Sequence, residues 1–226
     1  MKFNIILFAS LLPTGFFAVC AGLSSPDIDP SGKVLCFGDS ITHAGGYGWV
    51  EMLGEQHDYL VTVNAGRSGR KTSDRDELDP PLAANNDSDW VLFFLGVNDL
   101  KDGTPEMVGK CVENMEWMIS RVRQKAPGAR IVLMAPVDIS LEGMNQINVD
   151  KKYNKNTRDS LYLMEKEYAE LAKRTGVEFI SLLHAVTPEH FHDGLHPDRK
   201  GQQEIADAVW LGMNKLVSEQ GDLKGN

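Results

Sequence analysis

The run Trp-Val-Leu-Phe-Phe-Leu at residues 90 to 95 is apolar on both faces of an extended chain. A strand with no polar side has to be covered above and below, as in a parallel sheet flanked by helices. Shorter apolar runs accompany it at 34 to 37, 60 to 63, 131 to 135 and 177 to 182. Helical repeats separate the later runs. Val108, Cys111, Val112, Met115, Ile119 and Val122 recur at helical spacing over 105 to 125, behind a Thr104 cap and Pro105 in the first turn. Leu161, Met164, Tyr168 and Leu171 repeat the pattern over 158 to 174, and Ile205, Val209, Met213 and Leu216 over 201 to 217. A further helix is expected over 47 to 56, with Trp49, Val50 and Leu53 on one face. Buried strands alternating with amphipathic helices predict one three-layer α/β/α sandwich around a five-stranded parallel sheet. Ligands in such sheets sit beyond the carboxyl ends of the strands, so the chemistry is sought there.

The ends of the chain read differently. Lys2, an apolar stretch from 3 to 17 and the sequence Val19-Cys20-Ala21 resemble a secretory signal peptide cut after Ala21. The expected destination is secretion or the periplasm. The competing reading is a lipoprotein anchored at Cys20, which the bulky Val19 disfavours. Residues 22 to 32 read as a linker, 33 to 218 as the folded domain and 219 to 226 as a tail. Acidic residues outnumber basic ones, 32 against 23, for a net charge of -9. With no long basic cluster, this argues against nucleic acid and against stable association with an anionic membrane. Cys36 and Cys111 fall in apolar patterns and read as small core residues, with no disulfide framework.

Four segments at strand ends carry polar groups that the fold alone does not require. Gly38-Asp39-Ser40 follows the first strand, where a serine in a tight strand-to-helix turn is presented at the sheet edge; a helix cap explains it equally. Asn64 to Thr72 follows the second strand, with glycines that bring backbone N–H groups close to a ligand or simply make a turn. Gly96-Val97-Asn98-Asp99 follows the third, where an amide can donate to a developing oxyanion or cap a helix. Asp193-Gly194-Leu195-His196 precedes the last helix, and an Asp three residues before a His can orient the imidazole. A polar turn or a metal site built from His184, His190, His192, Asp193 and His196 competes here, although no HExxH or CxxC pattern supports a metal. The connection from 137 to 157 is long and polar, and is expected to be mobile or to form a wall of the site.

Taken in order, the four segments resemble the SGNH hydrolases, also called GDSL esterases, over about 33 to 215. The resemblance implies a flavodoxin-like fold with strand order 2-1-3-4-5. It implies hydrolysis of a carboxylic ester without metal or cofactor, with Ser40 as nucleophile, His196 as base and Asp193 as its partner. The oxyanion hole then comprises the N–H groups of Ser40 and Gly69 and the side chain of Asn98. Asp39, His43, Arg70 and Val97 are the candidate substrate-binding residues, with Asp39 shaping the turn. Arg67, Arg70 and Lys71 either attract an acidic substituent or pair with Asp74, Asp76 and Glu77. The sequence from Ser68 to Thr72, with Asp79-Pro80-Pro81, is similar to the arylesterase and acyltransferase branch, from which it departs at Lys71 and Val97. That branch includes oligomers, so a homo-oligomer is a further expectation.

The expected substrate is a small-molecule or carbohydrate ester with a short acyl group, an acetylated sugar or an aryl ester. A lysophospholipase or thioesterase needs an apolar acyl groove, for which Met144 and Ile147 are the visible material. A non-catalytic carbohydrate-binding module and a metal-dependent phosphoesterase are the alternatives from other classes.

Overall fold

The computed structural model describes residues 30–224, with side chains through residue 219; the expected signal peptide lies outside these residues. The apolar runs form parallel strands β1 (Gly32–Gly38), β2 (Leu60–Gly66), β3 (Trp90–Phe94), β4 (Arg130–Ala135) and β5 (Glu178–Ser181) in the order β2-β1-β3-β4-β5. Every side chain of β3 is buried, as its sequence demands. Helices α1 (Ser40–His43), α2 (Trp49–Gln56), α3 (Asp79–Ala84), α4 (Pro105–Lys125), α5 (Gln146–Asp150), α6 (Lys155–Thr175) and α7 (Arg199–Lys224) complete the fold. The apolar stripes of α4 and α6 are buried and these helices pack together on one face, while α2 packs with α7 on the other. Cys36 and Cys111 are both buried free thiols. Among the described residues, no helix is long and apolar enough to cross a membrane.

Two expectations need correcting. The connection from 137 to 157 is not a bare loop. It contains α5, and α6 begins at Lys155 behind Asn154, whose side chain accepts from the N–H groups of Asn156 and Thr157. At the other end, α7 continues to Lys224, through most of the expected tail.

Strand register sets up the working edge. Gly38 of β1 lies beside Gly66 of β2 and Phe94 of β3, so these three strands end at one level. Chain direction across the sheet reverses between β1 and β3, which opens a crevice at their carboxyl ends. The short α1 is pressed against the end of β2. Asn64 holds it there, with Nδ2 donating to Thr42 O at 2.9 Å and to Glu51 Oε1 at 2.7 Å. The approach is so close that a Cβ on Gly66 would lie 2.3 Å from the backbone nitrogen of His43.

A backbone neighbour cannot swing aside as a side chain can. Gly66→Ala is therefore expected to destabilise the protein by roughly 1–3 kcal/mol. Gly109→Ala, on the exposed face of α4 where an added Cβ meets nothing within 4 Å, should stabilise it by roughly 0.5–1 kcal/mol. Chemical denaturation of the two variants measures both shifts.

Candidate active site

Ser40 is the first residue of α1 and sits at the carboxyl end of β1. Asp39 caps this helix, its Oδ1 accepting from Ile41 N at 2.9 Å. Across the crevice, the segment before α7 brings His196 to the serine, with Ser40 Oγ and His196 Nε2 3.0 Å apart. The other ring nitrogen, Nδ1, lies 2.8 Å from Asp193 Oδ2. The remaining carboxylate oxygen accepts from Leu195 N at 2.9 Å and His196 N at 2.7 Å. Burial opposes ionisation of Asp193, but the hydrogen bonds from the His196 ring and these two N–H groups outweigh it and hold the carboxyl down at about 2. The carboxylate is thus charged at neutral pH. It fixes the imidazole with its proton on Nδ1 and its lone pair on Nε2, facing the serine hydroxyl.

The loop after β2 brings Gly69, at φ 75°, close to Asn98. Asn98 Nδ2 donates to Arg70 O at 3.2 Å, one residue beyond Gly69, and Asn98 Oδ1 accepts from the Tyr153 hydroxyl at 2.7 Å. These bonds fix which end of the amide is which and leave one Nδ2 hydrogen uncommitted. Among the described residues, the backbone N–H groups of Ser40 and Gly69 have no acceptor either. The loop is also tied to the turn after β3, because Thr72 donates through its N–H and its hydroxyl to Asp99.

Tyr153 is a site residue that the sequence analysis missed. It is the one aromatic residue between 137 and 157, and that isolation in a polar stretch was the available signal. The same segment supports the histidine loop. Asn145 N and Asn148 Nδ2 both donate to Asp193 O, each at 3.1 Å, and Ser140 N donates to Gly194 O at 2.9 Å. The 137 to 157 connection is therefore a buttress behind the site and does not line the cavity beside Ser40.

That cavity, about 450 Å³, is lined by Ser40, His43, Tyr47, Ser68, His196 and Arg199, among others. Of the four candidate substrate-binding residues, only His43 is in its wall. Asp39 and Val97 are each 2% exposed, the first turned to its cap and the second packed in the core. Arg70 is buried, with Nη1 donating to Gly38 O at 2.7 Å and Ala65 O at 2.5 Å and Nε to Glu77 at 3.0 Å, its guanidinium 4.1 Å above the Phe37 ring. It is a strut between β1 and β2 and is not available to a ligand. Arg67 pairs with Asp74 and Glu77. Met144 and Ile147 are not in the cavity wall, so the material proposed for an acyl groove lies elsewhere.

The histidine-rich segment is dispersed. His184 packs edge-on to Tyr162 and His190 faces Glu204. His192, Asp193 and His196 alone among the described residues keep possible ligand atoms within 4.8 Å of one another. In this arrangement both nitrogens of His196 are engaged with Ser40 and Asp193.

Burial raises the Asp39 carboxyl to about 7, with Asp99 adding to the rise and the Ile41 N–H and Arg70 opposing it. A carboxyl that holds its proton more tightly when folded contributes stability below its unfolded pKa and loses it as pH climbs to the folded value. Asp39→Asn keeps a capping oxygen without a charge. It should be no more stable than wild type near pH 4 and increasingly more stable up to about pH 7. Denaturation midpoints across that range check the sign.

Comparison with known proteins agrees with this geometry. The model of the GDSL-like lipase/acylhydrolase family matches residues 36–204. A carbohydrate acetylesterase family member from Sinorhizobium meliloti is 21% identical, with a TM-score of 0.67 over 82% of this chain and 96% of that one. Est24, a carbohydrate acetylesterase from the same organism, is 19% identical, with a TM-score of 0.69 over 82% of this chain and 98% of that one. Axe2, an acetylxylan esterase from Geobacillus stearothermophilus solved as a catalytic mutant, is 20% identical, with a TM-score of 0.64 over 83% and 96%. At such identities the likeness shows a shared SGNH hydrolase fold. A search among curated proteins finds no match. The chain belongs to the GDSL-like lipase/acylhydrolase family and is a carboxylic ester hydrolase.

Proposed function

We propose that the protein is a serine esterase that removes short acyl groups, acetyl above all, from carbohydrate esters. The observation that carries this reading is the hydrogen-bonded line from Ser40 through His196 to Asp193 beside an open cavity. Ser40 Oγ attacks the ester carbonyl as His196 Nε2 takes its proton. The N–H groups of Ser40 and Gly69 and the free Nδ2 hydrogen of Asn98 receive the oxyanion. Collapse of the intermediate expels the alcohol, which takes the proton from His196 and leaves an acyl-serine. Water, deprotonated by the same imidazole, then attacks the acyl carbon and releases the acid and free Ser40.

Three considerations support a short acyl group and a sugar alcohol. The cavity wall is mixed, with histidine, serine, tyrosine and arginine side chains interrupting its apolar area, whereas a fatty chain needs a continuous apolar groove. Several of the similar structures bear the names of acetylesterases of carbohydrates. The leader-like first 21 residues fit an exported enzyme meeting extracellular polysaccharide.

Hydrolysis of a p-nitrophenyl acyl series by wild type and Ser40→Ala, with and without EDTA, tests the mechanism. Activity should peak at acetate, survive EDTA and vanish in Ser40→Ala. Activity that outlives the substitution but dies with EDTA would move the chemistry to the His192 cluster. A maximum at long chains would overturn the short-acyl reading.

Tyr153 fixes the Asn98 amide from behind. Tyr153→Phe keeps the ring and removes that bond, so kcat should fall about tenfold with KM nearly unchanged. Asn98→Ala removes the donor itself and should cost about 10²–10³ in kcat. Steady-state kinetics on p-nitrophenyl acetate measures both.

A further inference from the structure

One side of the cavity beside Ser40 is built from Tyr47 and Arg199. Tyr47 is 52% exposed. The Arg199 guanidinium lies over its ring, Cζ 4.8 Å from the centroid, and Nη2 reaches the tyrosine hydroxyl at 3.5 Å. Between His43 and Tyr47 the chain is Ala44-Gly45-Gly46, so this stretch of wall is almost bare backbone. An exposed aromatic face reached across an open backbone wall can accept the flat apolar side of a sugar ring.

The charges around the cavity sharpen the choice of sugar. Arg67, Arg70, Arg121, Arg130, Arg158 and Arg174 each pair with a carboxylate. Arg75, Arg123 and Arg199 have no carboxylate partner among the described residues, and of these three Arg199 lines the cavity. Asp198 lines the same cavity and is its one acidic side chain, its Oδ1 held at the start of α7 by Lys200 N at 2.8 Å and Gly201 N at 2.9 Å. The other polar side chains of the wall, Ser40, His43, Ser68, His192, His196 and Gln202, bring no negative charge. Of the two readings of the loop at Arg67, Arg70 and Lys71, pairing is the one observed for both arginines, with Asp74 and Glu77 as partners.

We infer that Tyr47 and Arg199 form the subsite for the alcohol part of the ester and select an O-acetylated saccharide whose sugar carries a carboxylate. This rests on the esterase reading of Ser40. Tyr47 stacks against the ring, and the Arg199 fork meets the carboxylate with two parallel hydrogen bonds. Stacking on Tyr47 already restrains the fork, so little freedom is lost on binding.

The test compares kcat/KM on acetylated oligogalacturonides and on acetylated xylo-oligosaccharides of matched length, for wild type, Arg199→Gln, Arg199→Glu and Tyr47→Ala. Wild type should prefer the acidic substrate. Arg199→Gln should lower the acidic-to-neutral ratio about five- to tenfold, mainly through KM, as expected for one exposed charge-assisted pair, and Arg199→Glu should lower it further. Tyr47→Ala should weaken both saccharides. A wild-type ratio of one or less, or an unchanged ratio in Arg199→Gln, would overturn the inference. An arginine that merely fastened α7 to the 44 to 48 turn would lower Tm and leave the ratio fixed. Hydrolysis of p-nitrophenyl acetate by wild type, lost in Ser40→Ala, checks the esterase reading separately. Acetate release from that ester with neither saccharide cleaved would refute the subsite and spare the mechanism.

Discussion

A buried guanidinium holds the two halves of the active site together. Arg70 donates to the carbonyls of Gly38 and Ala65, at the carboxyl ends of β1 and β2, while Glu77 balances its charge and Phe37 stacks beneath it. Ser40 leaves from one of these strand ends and the Gly69 loop from the other. Their separation is therefore set by one rigid, planar group with several donors. Asn98 then reads the position of this loop through Arg70 O. A charge so placed is costly to bury alone and tolerable only because its hydrogen bonds are satisfied. Removing the side chain would take away the donor that the Gly38 and Ala65 carbonyls share, leaving Arg67 as the partner of Glu77 and Arg67 N on Gly38 O.

The catalytic geometry has a second support, from the opposite side. The segment between β4 and α6 bonds to the carbonyls of Asp193 and Gly194 and, through Tyr153, to Asn98. One stretch of chain thus steadies both the histidine loop and the amide proposed to receive the oxyanion. This is the arrangement that precise positioning needs, since groups bonded from behind do not have to reorganise as charge develops.

The sheet, its helices and the four strand-end segments were legible because each is encoded locally. The Trp90 run permits only a covered strand, and Asp193 and His196 are close enough in sequence to be read as a unit. What failed depended on packing across the chain. Arg70 reads as a surface cation when only its neighbours are counted, yet its partners at Gly38 lie 32 residues away. Val97 sits between two residues of a functional motif, but its turn directs it into the core. Tyr153 meets Asn98 across 55 residues of sequence, a pairing no local pattern reports. The polarity of residues 137 to 157 suggested a loose connection because asparagine and serine suit loops. Here those same side chains and N–H groups are the ones that fasten the histidine loop.

The segregation of this buttress from the cavity wall has a consequence for how such an enzyme can diversify. The residues that line the cavity come from α1, the turn before α2, Ser68 and the segment entering α7, whereas the supports of Asp193 and Asn98 come from 137 to 157. Wall segments can therefore be exchanged, lengthened or recharged while the supports behind the reacting groups are inherited intact. Selectivity and reaction chemistry are separate modules of one small domain, and a chain built this way can change its diet without relearning its chemistry.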